Sequence, residues 1–398
     1  MNRNILITLI TSFCFLLIFT LTRNFVTPGI DQAGPLKIGF AYDGDESIPY
    51  TNNFMRVQNT LREQFGDKIE IIVRSNIPVD QVDEVLEELV NLKCSIIFTS
   101  SYSQAIITKE IAQKYPEVQF CQACGDNALE EPVLKNYHTF MGEIYQGRYI
   151  SGIAAGLKLK ELIEKKIITE DEAVLGYVGA YPYSEIISGY TAFLLGARSI
   201  VPGATMKVMY TYTWGSFSEE KKCAEHLIDE GCVIISQHSD TTGTAVACEK
   251  NFNRNVFHIG CNQSMLSIAP MTSLISTRIN WSPYVTGAVK AVLEKKKIES
   301  VVKGHVHGTD ISGGLDSGWV QILEINPISA AEGTVEAINE AVQSLKKGNV
   351  NVFKGDYIGV NPFDEEDTYS LKKGFKENAD LSYPAFCYVL KDVITIEE

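Results

Sequence analysis

Two hydrophobic rhythms alternate along this chain. Short unbroken apolar runs, such as LKIGFAY from Leu36, IEIIVR from Ile69, SIIFT from Ser95 and VQFCQA from Val118, have the length of strands buried on both faces. Between them, over residues 54–65, 79–92 and 105–115, apolar residues recur at helical spacing. The β-α alternation fills one doubly wound lobe by about residue 123. The segment YHTFMGEIYQGRYISGIAAGLKL from Tyr137 then reads as a strand entering a helix. Its Gly147, Gly152 and Gly156 suit close helix packing at a lobe boundary.

Residues 173–240 repeat the pattern as strand, helix, strand, helix, strand, with the loops YPYSE, TWGSF and QHSD after the strands. Ligands of parallel α/β sheets collect beyond the carboxyl ends of the strands, so the three loops should face one cleft. Ser218 stands where a helix N-cap is expected, Glu219 and Glu220 fall in the first turn, and Gly231 marks an exit through positive φ. A helix near 245–250 and the strand VFHIGC follow. The strand TSLISTRI and the loop NWSPY suggest a return to the first lobe, before a helix over 285–297. GHVHGTDISGG reads as turn-like, VQILEI as a strand, 329–347 as a helix, and the tail from Gly348 as loops with short strands. The expected organisation is α/β: two doubly wound lobes joined by a hinge. One comprises 36–140 with about 274–308, the other 141–273 with about 309–398. Such a clamshell closes around a small ligand.

Composition agrees and adds a compartment. The chain has 398 residues and 45% hydrophobic content, enough for two cores. A net charge of -14 argues against nucleic acid. The uncharged run ILITLITSFCFLLIFTL between Arg3 and Arg23 marks residues 1–25 as a signal peptide or membrane anchor, with 26–35 a linker, so the rest is expected outside the membrane, anchored or secreted. Lipidation at Cys14, which follows Phe13, is a third fate for this end. Of the nine cysteines, Cys94, Cys223, Cys232 and Cys248 lie in apolar patterns as small core residues. Cys121 and Cys124 form C-x-x-C, open to three readings: plain strand-end residues, a disulfide, or redox or metal chemistry. His305 and His307 are spaced H-x-H with no further ligand near in sequence, and neither a metal nor a cofactor is expected.

The stretch YVGAYPYSEIISGYTAFLLGARSIVPGATMKVMYTYTWGSFSEEKKCAEHLIDEGCVIISQHSD, with FMGEIYQGRYISGIAAGL before it and INWSPY after it, resembles the basic membrane protein family. These are extracytoplasmic substrate-binding proteins of ABC transporters that take up purine nucleosides or bases. The likeness implies a type I periplasmic-binding-protein fold with a purine between the lobes and an ABC permease as partner. It puts Glu185 at a P-x-x-E position, Trp214 at T-W, His238 and Asp240 at Q-H-S-D, and Trp281 at N-W. The chain departs from the pattern in three places. DESIPYTN replaces a glycine-tryptophan pair, leaving Tyr50 as the substitute aromatic. Tyr102 stands where phenylalanine is frequent, and Cys261 and Asn262 stand where an aspartate is usual.

The residue types suit such a ligand. A purine needs aromatic faces to stack on, which Tyr42, Tyr50, Tyr102, Trp214 and Trp281 can supply, and polar partners at its edge, which Asp43, Glu185, Asp240 and Asn262 can supply. Each has a plainer alternative: Glu185 as first-turn charge, Asp240 as an N-cap, Trp281 as hinge packing. The leading expectation is a monomeric binder without chemistry. The alternatives are an anchored ligand sensor of the same fold and a nucleoside-processing enzyme. Against the enzyme, no G-x-S-x-G, H-E-x-x-H or phosphate loop occurs.

Overall fold

A computed structural model describes residues 34–397. The apolar run from Ile5 to Leu21 lies outside the described residues, and among those described no helix is long and apolar enough to cross a membrane. The first part of the chain runs β1 (Leu36–Ala41), α1 (Pro49–Met55), α2 (Val57–Phe65), β2 (Ile69–Arg74), α3 (Val82–Asn91), β3 (Ile96–Thr99), α4 (Ala105–Lys114), β4 (Gln119–Ala123) and β5 (Tyr137–Gly142). It crosses over through α5 (Ile144–Glu164) to β6 (Val174–Gly179), α6 (Ser184–Arg198), β7 (Thr205–Tyr210), α7 (Phe217–Asp229), β8 (Ile234–His238), α8 (Gly243–Lys250), β9 (Phe257–Cys261) and β10 (Ser273–Ile279). After α9 (Ser282–Leu293) come β11 (His305–His307), β12 (Asp310–Gly313), β13 (Val320–Ile322) and α10 (Thr334–Lys346). The chain continues through β14 (Ile358–Asn361), β15 (Asp364–Ser370), β16 (Val389–Leu390) and β17 (Ile394–Glu397).

Two seven-stranded sheets result, in the orders β11-β12-β5-β4-β3-β1-β2 and β13-β10-β9-β8-β6-β7-β17, with a small β15-β14-β16 sheet beside them. Only the edge strands β11 and β13 run antiparallel in the large sheets. The central strands are buried along nearly their whole length because helices cover both faces, which is why their sequences read as unbroken apolar runs.

Several expectations need correction. TSLISTRI does not return to the first lobe: as β10 it pairs in parallel with β9, and the crossing follows it at Asn280 and Trp281. GHVHGTDISGG is not turn-like, because β12 extends the first sheet in parallel register with β5 and β11 folds back onto β12. Ladder pairing there overrides a glycine-rich composition. The helix expected over 54–65 starts earlier and is split: Pro49, with its fixed φ, opens α1 inside DESIPYTN, and a second helix starts after Arg56. The N-cap of α7 is Ser216, whose hydroxyl accepts from the Glu219 N–H, not Ser218.

The three crossings between the large sheets lie side by side. Glu143 N–H donates to Gly313 O (2.8 Å), Asn280 N–H donates to Trp319 O (2.6 Å), and a Cβ on Gly142 would stand 2.6 Å from an Ile279 methyl. His305 of the H-x-H pair bonds here to the buried Glu143 through Nδ1 (2.5 Å). In the second lobe α5 packs on α6 at backbone range: a Cβ on Gly152 would fall 2.0 Å from Phe193 O, and one on Gly196 2.1 Å from Tyr149 O. The small residues of GRYISGIAAGL permit this approach.

Candidate functional site

The carboxyl ends of the central strands of both sheets meet around one cleft, enclosing about 830 Å³ of space, part of it continuous with solvent. The first lobe contributes Asp43 after β1, Tyr50 from the first turn of α1, Ser101 and Tyr102 after β3, and Cys124 after β4. The second contributes Glu185 from the first turn of α6, Trp214 and Gly215 before α7, His238 and Asp240 at the end of β8, and Cys261 and Asn262 at the end of β9. Ile144 and Ile279, at two of the crossings, form the floor.

Eight of the ten residues expected from sequence line this cleft. Trp281 does not. Its ring is fully buried behind Tyr50 (6.0 Å, edge-on), stacked on Phe54 at 5.0 Å and edge-on to Phe140. Tyr42 is also core, between Phe40 and Phe54. In both cases Phe54 of α1 packs on the ring, and the local pattern around Tyr42 or Trp281 does not reveal the placement of that helix.

Three carboxylates face the cleft, each with one side-chain donor from the protein. Asp43 accepts from Ser100 Oγ (3.2 Å), Glu185 meets His238 Nε2 (3.3 Å), and Asp240 accepts from Asn262 Nδ2 (3.2 Å). A carboxylate offers about four acceptor sites, so most of this capacity is left for a bound molecule. Burial, followed by the charges of Glu220, Asp43 and Glu185, pushes the Asp240 carboxyl well up, while the Asn262 amide opposes the shift. Burial and then the nearby Arg148 cation lower His238, against the pull of Glu185. The ring is therefore neutral near pH 7, and the nitrogen facing Glu185 must carry its proton. Behind Asp240, the buried Glu220 accepts from Thr241 N–H (3.0 Å) and is pushed up to about 7, mainly by burial.

Sequence reasoning missed five contributors. Tyr181 and Tyr183 sit in the YPYSE loop and continue an aromatic rim: Trp214–Tyr181 5.7 Å, Tyr181–Tyr183 5.1 Å, Tyr183–Tyr102 6.2 Å, Tyr102–Tyr383 5.2 Å between ring centres. The first two were legible from the loop itself. Tyr383 belongs to the tail, and nothing in its sequence points to a cleft. Cys124 is held at φ 57, a costly conformation for a residue other than glycine, with Sγ 3.5 Å from Tyr50 Oη. It is a free thiol, as is Cys121, so the C-x-x-C pair forms no disulfide. Arg148 lies fully buried one layer below, donating to Gln237 O and Cys261 Sγ (both 2.9 Å) under the face of Tyr177.

Among known families, one described as ABC transporter substrate-binding protein PnrA-like matches residues 49–353. The chain belongs to this family. Its members are solute-binding proteins of ABC transporters, which hold a small molecule outside the cytoplasmic membrane for a permease and catalyse no reaction. The chain is 28% identical over 323 residues to a purine-binding protein of Brucella abortus, covering 80% of this chain and 83% of that protein. It is 26% identical over 326 residues to a putative ABC transporter glucose-binding protein of Haloferax volcanii, covering 82% and 73%. Among solved structures, an ABC transporter solute-binding protein of Aeropyrum pernix superposes with a TM-score of 0.66 at 15% identity, over 83% of this chain and 95% of the other. The fold is the two-lobed type I periplasmic-binding-protein clamshell.

Proposed function

We propose that this protein is the binding component of an ABC importer for a purine base or nucleoside, held between the lobes by Asp43, Tyr50, Tyr102, Glu185, Trp214, His238, Asp240 and Asn262. The observation that carries the reading is the cleft, where a row of aromatic rings borders three carboxylates with open acceptor sites. A flat heteroaromatic ligand stacks on Trp214 and Tyr102. Its N–H groups reach Asp43, Glu185 and Asp240, and the Asn262 amide serves a ring acceptor. The purine-binding relative from Brucella supports the same cargo. The protein works as a monomer, with residues 1–25 as its export segment, retained as an anchor or cleaved.

The glucose-binding relative supplies the competing cargo, since a hexose also stacks on aromatics and donates to carboxylates. The test is thermal unfolding of the full chain in mild detergent against purine bases, nucleosides, pyrimidines and hexoses. Stabilisation by at least one purine and by no hexose is expected. A hexose shift with no purine shift overturns the cargo while leaving the binding role.

A further inference from the structure

The segment from Glu377 to Phe386, between β15 and β16, lies beyond the residues matched to the family and touches both lobes beside the Tyr102 wall of the cleft. On the first lobe, Ser382 N–H donates to Asp310 Oδ2 (2.5 Å), and Asp310 is itself fixed in β12 by Thr139 of β5 (2.7 Å). On the second lobe, two hydroxyls of α6 reach the same segment: Ser184 Oγ donates to Pro384 O (2.7 Å) and Ser188 Oγ to Glu377 Oε2 (2.8 Å).

Between these anchors Tyr383, 9% exposed, packs on Tyr102 of the cleft wall at 5.2 Å, within electrostatic reach of Glu185 and Cys124. The segment is a folded piece, not a loose tether. Glu377 turns back to accept from the N–H groups of Ala385 and Phe386, and Asn378 Nδ2 donates to the carbonyls of Leu381 and Ser382. Its base is held by Phe386 stacked on Phe353 at 4.6 Å.

We propose that this segment is a strap that latches the lobes together, with Tyr383 completing the rim, so that ligand enters and leaves only when one anchor lets go. Rotation of the lobes about the three crossings moves Asp310 away from α6. A rigid piece bonded to both cannot follow both. Opening therefore breaks either the Asp310 bond or the pair of serine bonds. The latch sets how much of the ligand-free protein is open, and thereby the rate of exchange.

The inference rests on the clamshell and not on the cargo, so the first readout uses no ligand. A keto-bearing amino acid placed at Ile106 in α4 (70% exposed) and at Phe252 (54% exposed) allows dye pairs to report lobe separation by single-molecule energy transfer in the full chain. The wild type is expected to be predominantly closed without ligand. The double variant Ser184→Ala/Ser188→Ala and, separately, Tyr383→Ala should shift it toward open forms while keeping their cooperative thermal unfolding. The dissociation rate of a bound purine should rise about tenfold, the scale of one lost hydrogen-bond anchor. Unchanged lobe-separation distributions in both variants overturn the latch. If no purine binds, the cargo reading fails and the energy-transfer result still decides the latch.

Discussion

Glu220 offers a test of the site's electrostatics that requires no ligand. Its carboxyl is buried behind the QHSD loop, accepts one bond from Thr241 N–H, leaves Oε2 without a partner, and is pushed up to about 7. In the unfolded chain this acid ionises near pH 4, whereas in the folded protein it keeps its proton to about pH 7. Between those values the folded state holds the extra proton, so stability falls as pH rises through the window and levels off above it. A shift of this size is worth about 3 kcal/mol. Spread over a chain of this length unfolding as one unit, that corresponds to about 4 °C in melting temperature, and more if the second lobe unfolds alone. Glu220→Gln retains the acceptor for Thr241 and removes the titration. The assay is the melting temperature of wild type and variant from pH 4 to pH 8. The variant's advantage should grow by about 3 kcal/mol across the range and be smallest at the acid end. Parallel pH curves would refute the reasoning, meaning that Glu220 is ionised in the fold at little cost.

The two tryptophans should separate stability from binding. Trp281→Ala removes a core ring and should cost about 3–5 kcal/mol of stability, seen as a lower denaturation midpoint. Trp214→Ala, at a half-buried rim position, should leave the midpoint nearly unchanged and weaken purine binding about 5- to 150-fold in titration calorimetry, the equivalent of roughly 1–3 kcal/mol of stacking. Gly152→Ala places a methyl 2.0 Å from a backbone carbonyl that no rotamer change can move, and should destabilise by about 1–3 kcal/mol or more. A Gly152→Ala protein as stable as wild type would mean that α5 and α6 do not approach to backbone contact at Gly152 and Phe193.

What the sequence reveals and what it hides follow from the range of the interactions. The double burial of β6 and β8 is written in their own apolar runs, and the loops after them carry Glu185, Trp214, His238 and Asp240 to the cleft as strand-end geometry requires. Sheet membership is a pairing between distant segments, so the local pattern of TSLISTRI, which suggests a return to the first lobe, carries no trace of its ladder with β9. Trp214 and Trp281 are chemically the same, and it is the packing of Phe54 from α1 on Trp281 that buries one while the other stays half-buried at the cleft. Tyr383 reaches the rim through a fold of the tail held by Glu377 and Asn378, a local polar arrangement with no periodic signature.

Strand β17 has a consequence of another kind. It lies in parallel register along β7, Ile394 against Met206 through Glu397 against Met209, and so occupies what would otherwise be the open border of the second sheet. Until those residues dock, β7 presents free N–H and C=O groups to any neighbouring chain, a template for edge-to-edge association. Its partner comes from a remote part of the sequence, and long-range pairings of this kind form late. Self-association during folding should therefore be most acute just before this final docking, and a cut between α10 and β17 should be felt first as loss of solubility, ahead of any loss of ligand recognition.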